Sequence, residues 1–112
     1  MTKIECILRP DRILEVRNAL GGLGIKGMTV TEVIGCGLQK GHTRNNWSSD
    51  FNINLLPKTK IEMVVPDGMV DEVIQAIIKI SRTGEIGDGK IFTYPIANAI
   101  RVRTGETGEN AI

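Results

Sequence analysis

The feature that most constrains the fold of this chain of 112 residues is a change of hydrophobic period that occurs twice in the same order. Apolar side chains alternate with polar ones over residues 3–9 and then recur at helical spacing from Asp11 to Leu23. The same succession occurs in residues 59–65 and in the segment that follows Pro66. A period of two predicts a half-buried strand, and a period of about 3.6 predicts an amphipathic helix. Each half of the chain is therefore predicted to begin with a strand and continue into a helix.

A further strand is predicted after each helix, because residues 28–37 and 90–96 are rich in β-branched or aromatic side chains. The resulting order, β-α-β-loop-β-α-β, predicts a single α+β domain over residues 1–112 with the ferredoxin-like βαββαβ topology. Such a sandwich has an antiparallel sheet with both helices on one face. A long loop separates strands 2 and 3, and the alternation in residues 99–104 predicts a short additional strand near the C-terminus.

The apolar residues of these periodic segments form the predicted core between the sheet and the helices. They are Ile4, Cys6 and Leu8 in the first strand, Ile13, Val16, Leu20 and Leu23 in the first helix, Ile61, Met63 and Val65 in the third strand, and Val70, Val73, Ile74, Ile77 and Ile78 in the second helix. Asp67 is predicted to cap the second helix. The opposite sheet face carries Thr29, Thr31 and Val64 rather than a uniform set of charges, which predicts that it meets another subunit.

Composition and charge argue against several classes of protein. Fourteen Lys and Arg residues against thirteen Asp and Glu residues give a net charge of +1, so no overall field favours nucleic acid or an anionic membrane. The N-terminus lacks an apolar stretch of signal-peptide length, and nowhere do 18 apolar residues run together, so we expect a cytoplasmic protein. Cys6 and Cys36 lie in strand segments without CxxC spacing, which predicts two small buried thiols in a reducing compartment.

The glycine-rich run "GEIGDGKI", residues 84–91, nearly satisfies the P-loop pattern through Gly84, Gly89 and Lys90. It departs from that pattern because Ile91 replaces the Ser or Thr that would hold Mg²⁺, and because a strand rather than a helix follows. A flexible run of backbone N–H groups that ends in an ammonium is still a candidate cradle for phosphate oxygens. The alternative interpretation is a simple helix-to-strand turn.

A second anion-binding candidate is the pair Arg101 and Arg103. In a strand, residues two apart project from the same face, and two guanidinium forks side by side suit a polyphosphate. The alternative is a solvated cationic edge strand that discourages aggregation.

Catalytic constellations are sparse. His42 is the single histidine and is interpreted as an exposed loop side chain, and no Ser-His-Asp or Cys-His arrangement can be singled out. A slow ATPase or phosphotransferase that uses residues 87–90 is the enzymatic alternative, but no general base or Mg²⁺-binding Ser or Thr stands beside those glycines. The sequence therefore predicts a protein that is not an enzyme.

Five segments, "GMTVTEV", "GCGLQKGHT", "LPKTKIE", "RTGEIGDGKIF" and "IRVRTGE", resemble the PII signal-transduction proteins that report nitrogen and carbon status. The resemblance implies a homotrimer that binds ATP or ADP in clefts between subunits, and 2-oxoglutarate when ATP and Mg²⁺ are present. It also implies control of an ammonium transporter or of a nitrogen-metabolism enzyme or regulator through a long partner-binding loop (T-loop), residues 37–57. The membrane would then be reached only through a transporter. A ferredoxin-like trimer that has lost nucleotide binding is the remaining alternative, against which the intact "GDGK" and "RVR" argue.

The resemblance implies a set of ligand-binding residues. For the nucleotide they are Ile7, Met28, Thr29, Gly35, Cys36, Gly37, Leu38, Gln39, Glu62, Val64, Gly87, Asp88, Gly89, Lys90, Phe92, Arg101 and Arg103. For 2-oxoglutarate they are Gln39, Lys40, Gly41, Lys58 and Gly87, with Gln39 helping to hold the Mg²⁺ and Lys58 pairing with a carboxylate. Residues 87–90 would hold phosphates from one subunit, and the two arginines would reach them across the subunit boundary.

The same resemblance implies partner contacts by Arg44, Trp47, Ser49 and Phe51 in the loop. Leu38 stands where many relatives have a phosphate-contacting arginine, which predicts weaker ATP binding or a shifted preference between ATP and ADP. Phe51 replaces a tyrosine that some relatives modify, so uridylylation or adenylylation is excluded there, whereas Ser49 matches a position phosphorylated in some cyanobacterial relatives. Trp47 replaces the arginine that enters a transporter pore, which argues against simple pore plugging. Trp47 and Phe51 are interpreted either as anchors for a partner or as packing within the loop.

Overall fold

A computed structural model of the protein describes residues 1–38 and 53–112. The strands are β1 (Thr2–Leu8), β2 (Thr29–Leu38), β3 (Ile53–Val65) and β4 (Lys90–Pro95), and the helices are α1 (Ile13–Gly22) and α2 (Val70–Ser81). Short 3-10 turns at Pro10–Arg12 and Asp67–Met69 lead into the two helices, and another, Gly108–Ala111, lies near the C-terminus. Neither α1 nor α2, the helices of the described residues, has the length and apolar character that crossing a bilayer requires.

The four strands form one antiparallel sheet in the order β2-β3-β1-β4. At its centre, Cys6 of β1 lies opposite Ile61 of β3 on one side and Ile91 of β4 on the other. The two β-α-β units interleave, so that β1 and β3 occupy the middle. This arrangement confirms the predicted ferredoxin-like βαββαβ fold.

The core lies between one face of the sheet and the two helices. Its buried hydrophobic residues are Ile4, Cys6, Leu8, Val16, Leu20, Ile61, Met63, Val65, Val73 and Ile77. All of them were predicted from the two hydrophobic periods, and each fully buried aliphatic side chain contributes roughly 1.5–3 kcal/mol of transfer free energy. The other predicted core residues, namely Ile13, Leu23, Val70, Ile74 and Ile78, are half-buried.

The predicted C-terminal strand is wrong. Residues 99–104 contribute only an isolated bridge, Ile100 to Thr107, and otherwise form a turn. The backbone N–H of Arg101 donates to the Glu106 carbonyl at 2.8 Å, and that of Gly105 to the Arg101 carbonyl at 2.7 Å. Gly105 has a φ of +72°, which lets the chain fold back on itself within a few residues. The expectation that Arg101 and Arg103 project from one face of a strand is therefore also wrong.

The predicted capping role of Asp67 is wrong as well, because the N-cap residue of α2 is Met69, whose side chain makes no capping hydrogen bond. One oxygen of the Asp67 carboxylate instead accepts a hydrogen bond from the Thr2 hydroxyl at 2.6 Å and lies 3.1 Å from the N-terminal ammonium. These contacts, with Thr2 first and the amino terminus second, lower the pKa of Asp67. Asp67 fastens the start of β1 to the entry of α2.

The β2–β3 pair is longer than predicted, because β3 begins at Ile53 rather than at residue 59 and β2 extends to Leu38. The described ends of the predicted loop, 37–38 and 53–57, are therefore paired strands. Pro57 lies in β3 opposite Ile34, beyond the stretch of β3 that pairs with β1. At Pro57, β3 therefore has a neighbouring strand on one side only. Proline is tolerated in a strand with one open edge, which explains why Pro57 does not end β3.

The two cysteines differ in environment. Cys6 is buried as predicted, and burial, with a smaller effect of Glu5, raises the pKa of its thiol to about 12. Cys36 is exposed, so the prediction of two buried thiols is wrong for it. It lies opposite Leu55, near the end of the β2–β3 pair, where Ile34 and Leu55 are also exposed. Both thiols are free.

Candidate functional site

The glycine-rich segment between α2 and β4 is a loop held from within by Asp88. The Asp88 carboxylate accepts hydrogen bonds from the backbone N–H groups of Thr83 at 2.8 Å and Gly84 at 2.9 Å, and from the Thr83 hydroxyl. It also accepts one from the Arg9 guanidinium, which reaches the loop from the end of β1. The bonds from Thr83, followed by those from Arg9 and Gly84, hold the pKa of this carboxyl well below its usual range. The Asp88 side chain is thus engaged inside the loop, which leaves its backbone for a ligand.

Gly87 and Gly89 determine the backbone conformation of the loop. Their φ angles are +103° and +104°, in the region that favours glycine. A Cβ on Gly89 would lie only 1.9 Å from the carbonyl oxygen of Ile7, so the loop passes directly against β1 at this point. A side chain there would push the loop away from the sheet.

Lys58 joins the loop to the β2–β3 pair. Its ammonium donates a hydrogen bond to the Gly87 carbonyl at 2.8 Å. Gly35 lies on the same side of the sheet, and a Cβ there would come within 3.0 Å of the Lys58 Cγ. The family resemblance implied that Lys58 and Gly87 bind the same ligand, and the structure brings these two residues into contact.

A groove of about 500 Å³ opens between the end of the β2–β3 pair and the glycine-rich loop. Its lining residues are Ile7, Gly35, Cys36, Leu56, Lys58, Glu85, Ile86, Gly87, Asp88, Gly89, Lys90 and Phe92. The volume lies within the range of pockets that hold small organic ligands. Two ammonium groups, glycine backbone and an apolar wall formed by Leu56, Ile86 and Phe92 suit a ligand that has both an anionic and an apolar part.

A second groove, of about 510 Å³, lies on the other side of the same loop and is shared between α2 and β4. Its lining includes four isoleucine side chains from α2 and β4, and also Lys90 and loop residues. It contains neither Lys58 nor Gly35. The groove on the β2–β3 side is the better candidate, because it gathers candidate ligand-binding residues from four separate segments of the chain.

The remaining nucleotide-site candidates whose side chains are described lie outside that groove. They are Met28, Thr29, Glu62, Val64, Arg101 and Arg103. Thr29 pairs with Glu62 across the sheet, and Glu62 is four residues along β3 from Lys58, a distance of about 13 Å in a strand. Arg101 forms an ion pair with Glu106 at 3.0 Å, and Arg103 is exposed in the turn. Within one chain, the candidate residues therefore fall into two groups. One group lines the groove, and the other lies outside it, in or next to β2 and β3 and in the C-terminal turn.

Glu62 belongs to a network of charges on the sheet face that the helices leave open. The Lys3 ammonium lies 2.8 Å from its carboxylate, and Lys60 lies 3.5 Å away. Lys3 also lies 5.3 Å above the Tyr94 ring. The mutual hydrogen bond is the main cause that lowers the pKa of Glu62 and raises that of Lys3. The open face, for which the sequence predicted a contact with another subunit, thus carries paired charges of both signs.

Several candidates lie outside the described residues, and for two more only the backbone is described. Gly37 and Leu38 end β2, opposite Asn54 and Ile53. The residues outside the described ranges are Gln39, Lys40, Gly41, His42, Arg44, Trp47, Ser49 and Phe51. Residues 1–38 and 53–112 contain no group of three or more His, Cys, Asp or Glu side chains that could hold a metal ion. The predicted Mg²⁺ ligand, Gln39, is among the residues outside those ranges.

The sequence did not identify Arg9 and Thr83 as parts of the site. Arg9 donates to Asp88 across a separation of 79 residues, and also to the Ile86 carbonyl at 3.0 Å. In the sequence Arg9 is merely the last residue of a strand segment, and no local period marks it. The only available signal was its place directly after a strand that the predicted βαββαβ order puts in the middle of the sheet.

Comparison with known proteins identifies close relatives along the whole chain. A family model described as nitrogen regulatory protein P-II matches residues 1–106. The chain is 52% identical over 112 residues to the nitrogen regulatory protein P-II of Haemophilus influenzae, and the match covers 100% of both chains. It is 51% identical over 112 residues to nitrogen regulatory protein P-II 1 of Escherichia coli strain K12, again over 100% of both chains. Among solved structures it is similar to the B. subtilis GlnK-ATP complex, with a TM-score of 0.85 and 38% identity over 99% of this chain and 94% of that one.

Proposed function

Because the chain belongs to the nitrogen regulatory protein P-II family, we propose that it is a non-catalytic, cytoplasmic regulator that controls a partner protein according to the ligands it binds. The ligands are ATP or ADP, and 2-oxoglutarate together with ATP and Mg²⁺. The working form is a homotrimer with its nucleotide sites in the clefts between subunits. The output is control of an ammonium transporter or of a nitrogen-metabolism enzyme or regulator.

The observation that carries this proposal is the groove between the glycine-rich loop and the β2–β3 pair. Lys58 and Lys90 supply positive charge, and the positive φ angles of Gly87 and Gly89 turn the backbone so that N–H groups can face an anion. The B. subtilis GlnK-ATP complex is named as a nucleotide complex, and the similarity covers 99% of this chain. A nucleotide whose phosphates meet the loop is the ligand that this chemistry favours.

An intersubunit cleft accounts for the division of the candidates into two groups. Residues 87–90 lie beside the groove, whereas Glu62 and Arg101 lie elsewhere on the same chain. A neighbouring subunit would contribute the second group, with Arg103 near the phosphates. Met28, Thr29, Glu62 and Val64 of that subunit would surround the adenine and ribose. Each chain then carries one half of two different sites.

The proposed 2-oxoglutarate site adjoins the phosphates. Lys58 would exchange its hydrogen bond with the Gly87 carbonyl for an ion pair with a ligand carboxylate. Gln39 would help to hold the Mg²⁺, and the backbone around Lys40 and Gly41 would complete the site. Since Lys58 lies in β3 and Gln39 directly follows β2, ligand binding would act on both ends of the loop that carries Arg44, Trp47, Ser49 and Phe51.

Isothermal calorimetry with ATP and Mg²⁺, with and without 2-oxoglutarate, tests the proposal. We expect ATP to bind, and 2-oxoglutarate to bind only when ATP and Mg²⁺ are present. Lys90→Ala should weaken ATP binding about tenfold or more, because it removes one charged partner of the phosphates. Lys79→Ala, at an exposed lysine on α2 that lines neither groove, is the matched control.

Each failure has a separate meaning. If no ATP binds, the proposal of a nucleotide sensor is rejected. If ATP binds but 2-oxoglutarate does not, only the carbon-sensing part is lost. Steady release of phosphate from ATP that disappears in Lys90→Ala would support a slow ATPase instead of a non-catalytic regulator.

A further inference from the structure

We propose that Arg9 is a positioning residue that holds the glycine-rich loop in the shape required for phosphate binding. The proposal rests on the function proposed above and adds a residue to it. Arg9 directly follows β1, which is an inner strand of the sheet. Its guanidinium donates to the Asp88 carboxylate and to the Ile86 carbonyl. Neither family resemblance nor sequence pattern assigned it a role.

The contacts of Arg9 span most of the loop. One terminal nitrogen donates to the Asp88 carboxylate and lies 3.4 Å from the Thr83 hydroxyl, and the other donates to the Ile86 carbonyl at 3.0 Å. The Asp88 carboxylate in turn accepts the backbone N–H groups of Thr83 and Gly84. One side chain thus connects the beginning, the middle and the end of the loop to β1.

The distribution of charge favours a positioning role over direct ligand contact. Arg9 and Lys58 both approach Gly87: a Cβ there would lie 3.2 Å from the Arg9 guanidinium and 3.5 Å from the Lys58 ammonium. Asp88 neutralises Arg9 through a direct ion pair, whereas within residues 1–38 and 53–112 the Lys58 ammonium donates to a neutral carbonyl. The net positive charge available to an anion therefore remains with Lys58 and Lys90.

The geometry also explains why an arginine stands at this position. The planar guanidinium presents several donors in a fixed fork, so it can bond a carboxylate and a carbonyl at once. A lysine at the same place could keep the ion pair with Asp88 but would not keep both bonds in fixed geometry. We therefore expect Arg9→Lys to retain part of the function that Arg9→Gln loses.

The first test is ATP titration by calorimetry on the full-length protein with Mg²⁺. Arg9→Gln should raise the dissociation constant about tenfold, the usual effect of losing one charge-assisted hydrogen-bond partner. Arg9→Lys should lie between Arg9→Gln and the wild type. Arg17→Gln, which removes the same charge from an exposed site on α1, should remain within about twofold. An Arg9→Gln affinity equal to that of the wild type would overturn the proposal.

A double-mutant cycle separates positioning from direct contact. If Arg9 acts through Asp88, then Arg9→Gln should have little further effect on ATP affinity in an Asp88→Asn background. If Arg9 touches the phosphates itself, or acts only through the Ile86 carbonyl, its removal should weaken binding to the same extent in both backgrounds, and positioning through Asp88 would be rejected.

Hydrogen exchange of the ligand-free protein gives a test that does not depend on nucleotide binding. The amides of residues 83–89 should exchange faster in Arg9→Gln than in the wild type or in Arg17→Gln, while those of β1 and β3 remain protected. Unchanged exchange in the loop would contradict the proposal. If the wild type bound no ATP but loop exchange still rose in Arg9→Gln, the proposed function would fail while the structural role of Arg9 stood.

Discussion

Gly89 occupies the point where the loop before β4 crosses β1, and its missing side chain is essential there. Replacing it with alanine combines a φ of +104° with a contact of 1.9 Å to the Ile7 carbonyl oxygen. We expect Gly89→Ala to lower the free energy of unfolding by roughly 2–4 kcal/mol in urea denaturation. Gly24→Ala is the matched control: its φ is +89° with no atom within 4 Å, so only strain of about 1–2 kcal/mol applies. Equal losses in both variants would contradict the close-contact explanation.

The two thiols are predicted to react differently. Cys36 is exposed, whereas Cys6 is buried and its pKa is raised to about 12, so little thiolate forms near neutral pH. A chromogenic disulfide reagent at about pH 8 should titrate one thiol per chain in the folded protein and the second only in denaturant. Cys36→Ser should abolish the fast reaction. A fast reaction that survives in Cys36→Ser would show that Cys6 is accessible.

The lowered pKa of Asp88 predicts a specific dependence of the free energy of unfolding on pH. Its folded pKa is depressed below the unfolded value of about 3.9, so its contribution is present above that pH and is lost as the pH falls through the folded pKa. The wild type should therefore lose more stability than Asp88→Asn between about pH 5 and pH 2, and the two curves should run parallel above about pH 5. Asp71→Asn, at an exposed position on α2, is the control. Parallel curves throughout would disprove the assignment.

At the scale of elements, α2 depends on packing rather than on its own propensity. It has 12 residues, a length at which an isolated helix is marginal in water, and it lacks a side-chain cap. Ile77 is 1% exposed in the core, so Ile77→Ala should cost about 2–5 kcal/mol by chemical denaturation. Gln75→Ala, on the exposed side of the same helix, should change stability by about 0.5 kcal/mol or less. Similar costs at both positions would argue against this orientation of the helix.

The β2–β3 pair illustrates what element-level patterns miss. The sequence predicted both strands, but it ended them where alternation faded and where Pro57 and polar residues began. Pairing extends further, to Leu38 and Ile53, because each strand supplies the other's hydrogen bonds even where one of its edges is open. The end of this pair brings Gly35 and Lys58 to the rim of the groove. The positions of Gly35 and Lys58 therefore depend on how far the two strands extend, and not only on the presence of the strands.

At the scale of the whole molecule, the separation of the candidate residues yields a test of subunit sharing. If a cleft takes Lys90 from one subunit and Arg103 from its neighbour, Lys90→Ala and Arg103→Ala chains should each bind ATP poorly when alone. Unfolding and refolding an equal mixture should produce mixed trimers in which roughly a quarter of the clefts are intact. Calorimetry should then find wild-type affinity in about that fraction of the clefts, while each variant refolded alone should show only the weakened affinity. No recovery in the mixture would place both residues in a single-chain site.

The family resemblance and the glycine-rich run named most of the residues that line the described groove, but they treated those residues as isolated motifs. The glycines and Lys90 were detectable because a run of that composition before a strand has few structural uses. Arg9 and Thr83 were not, because their importance depends on a contact between the end of β1 and a loop 79 residues away. The paired arginines were assigned to a strand, since alternation alone cannot reveal that Gly105 turns the chain back before a strand can form.

The sequence by itself determined the fold class, the order of the four strands and two helices, and the buried residues of the core, because hydrophobic periods of two and about 3.6 depend only on neighbouring positions. Only the tertiary structure decided how Arg9, Lys58 and Asp88 share their charges, where the C-terminal arginines lie, and which cysteine is exposed. Those features depend on the crossing of segments far apart in the chain and on where the helices cease to cover the sheet. The composition of a local segment predicts neither the crossing of distant segments nor the limits of the sheet area that the helices cover.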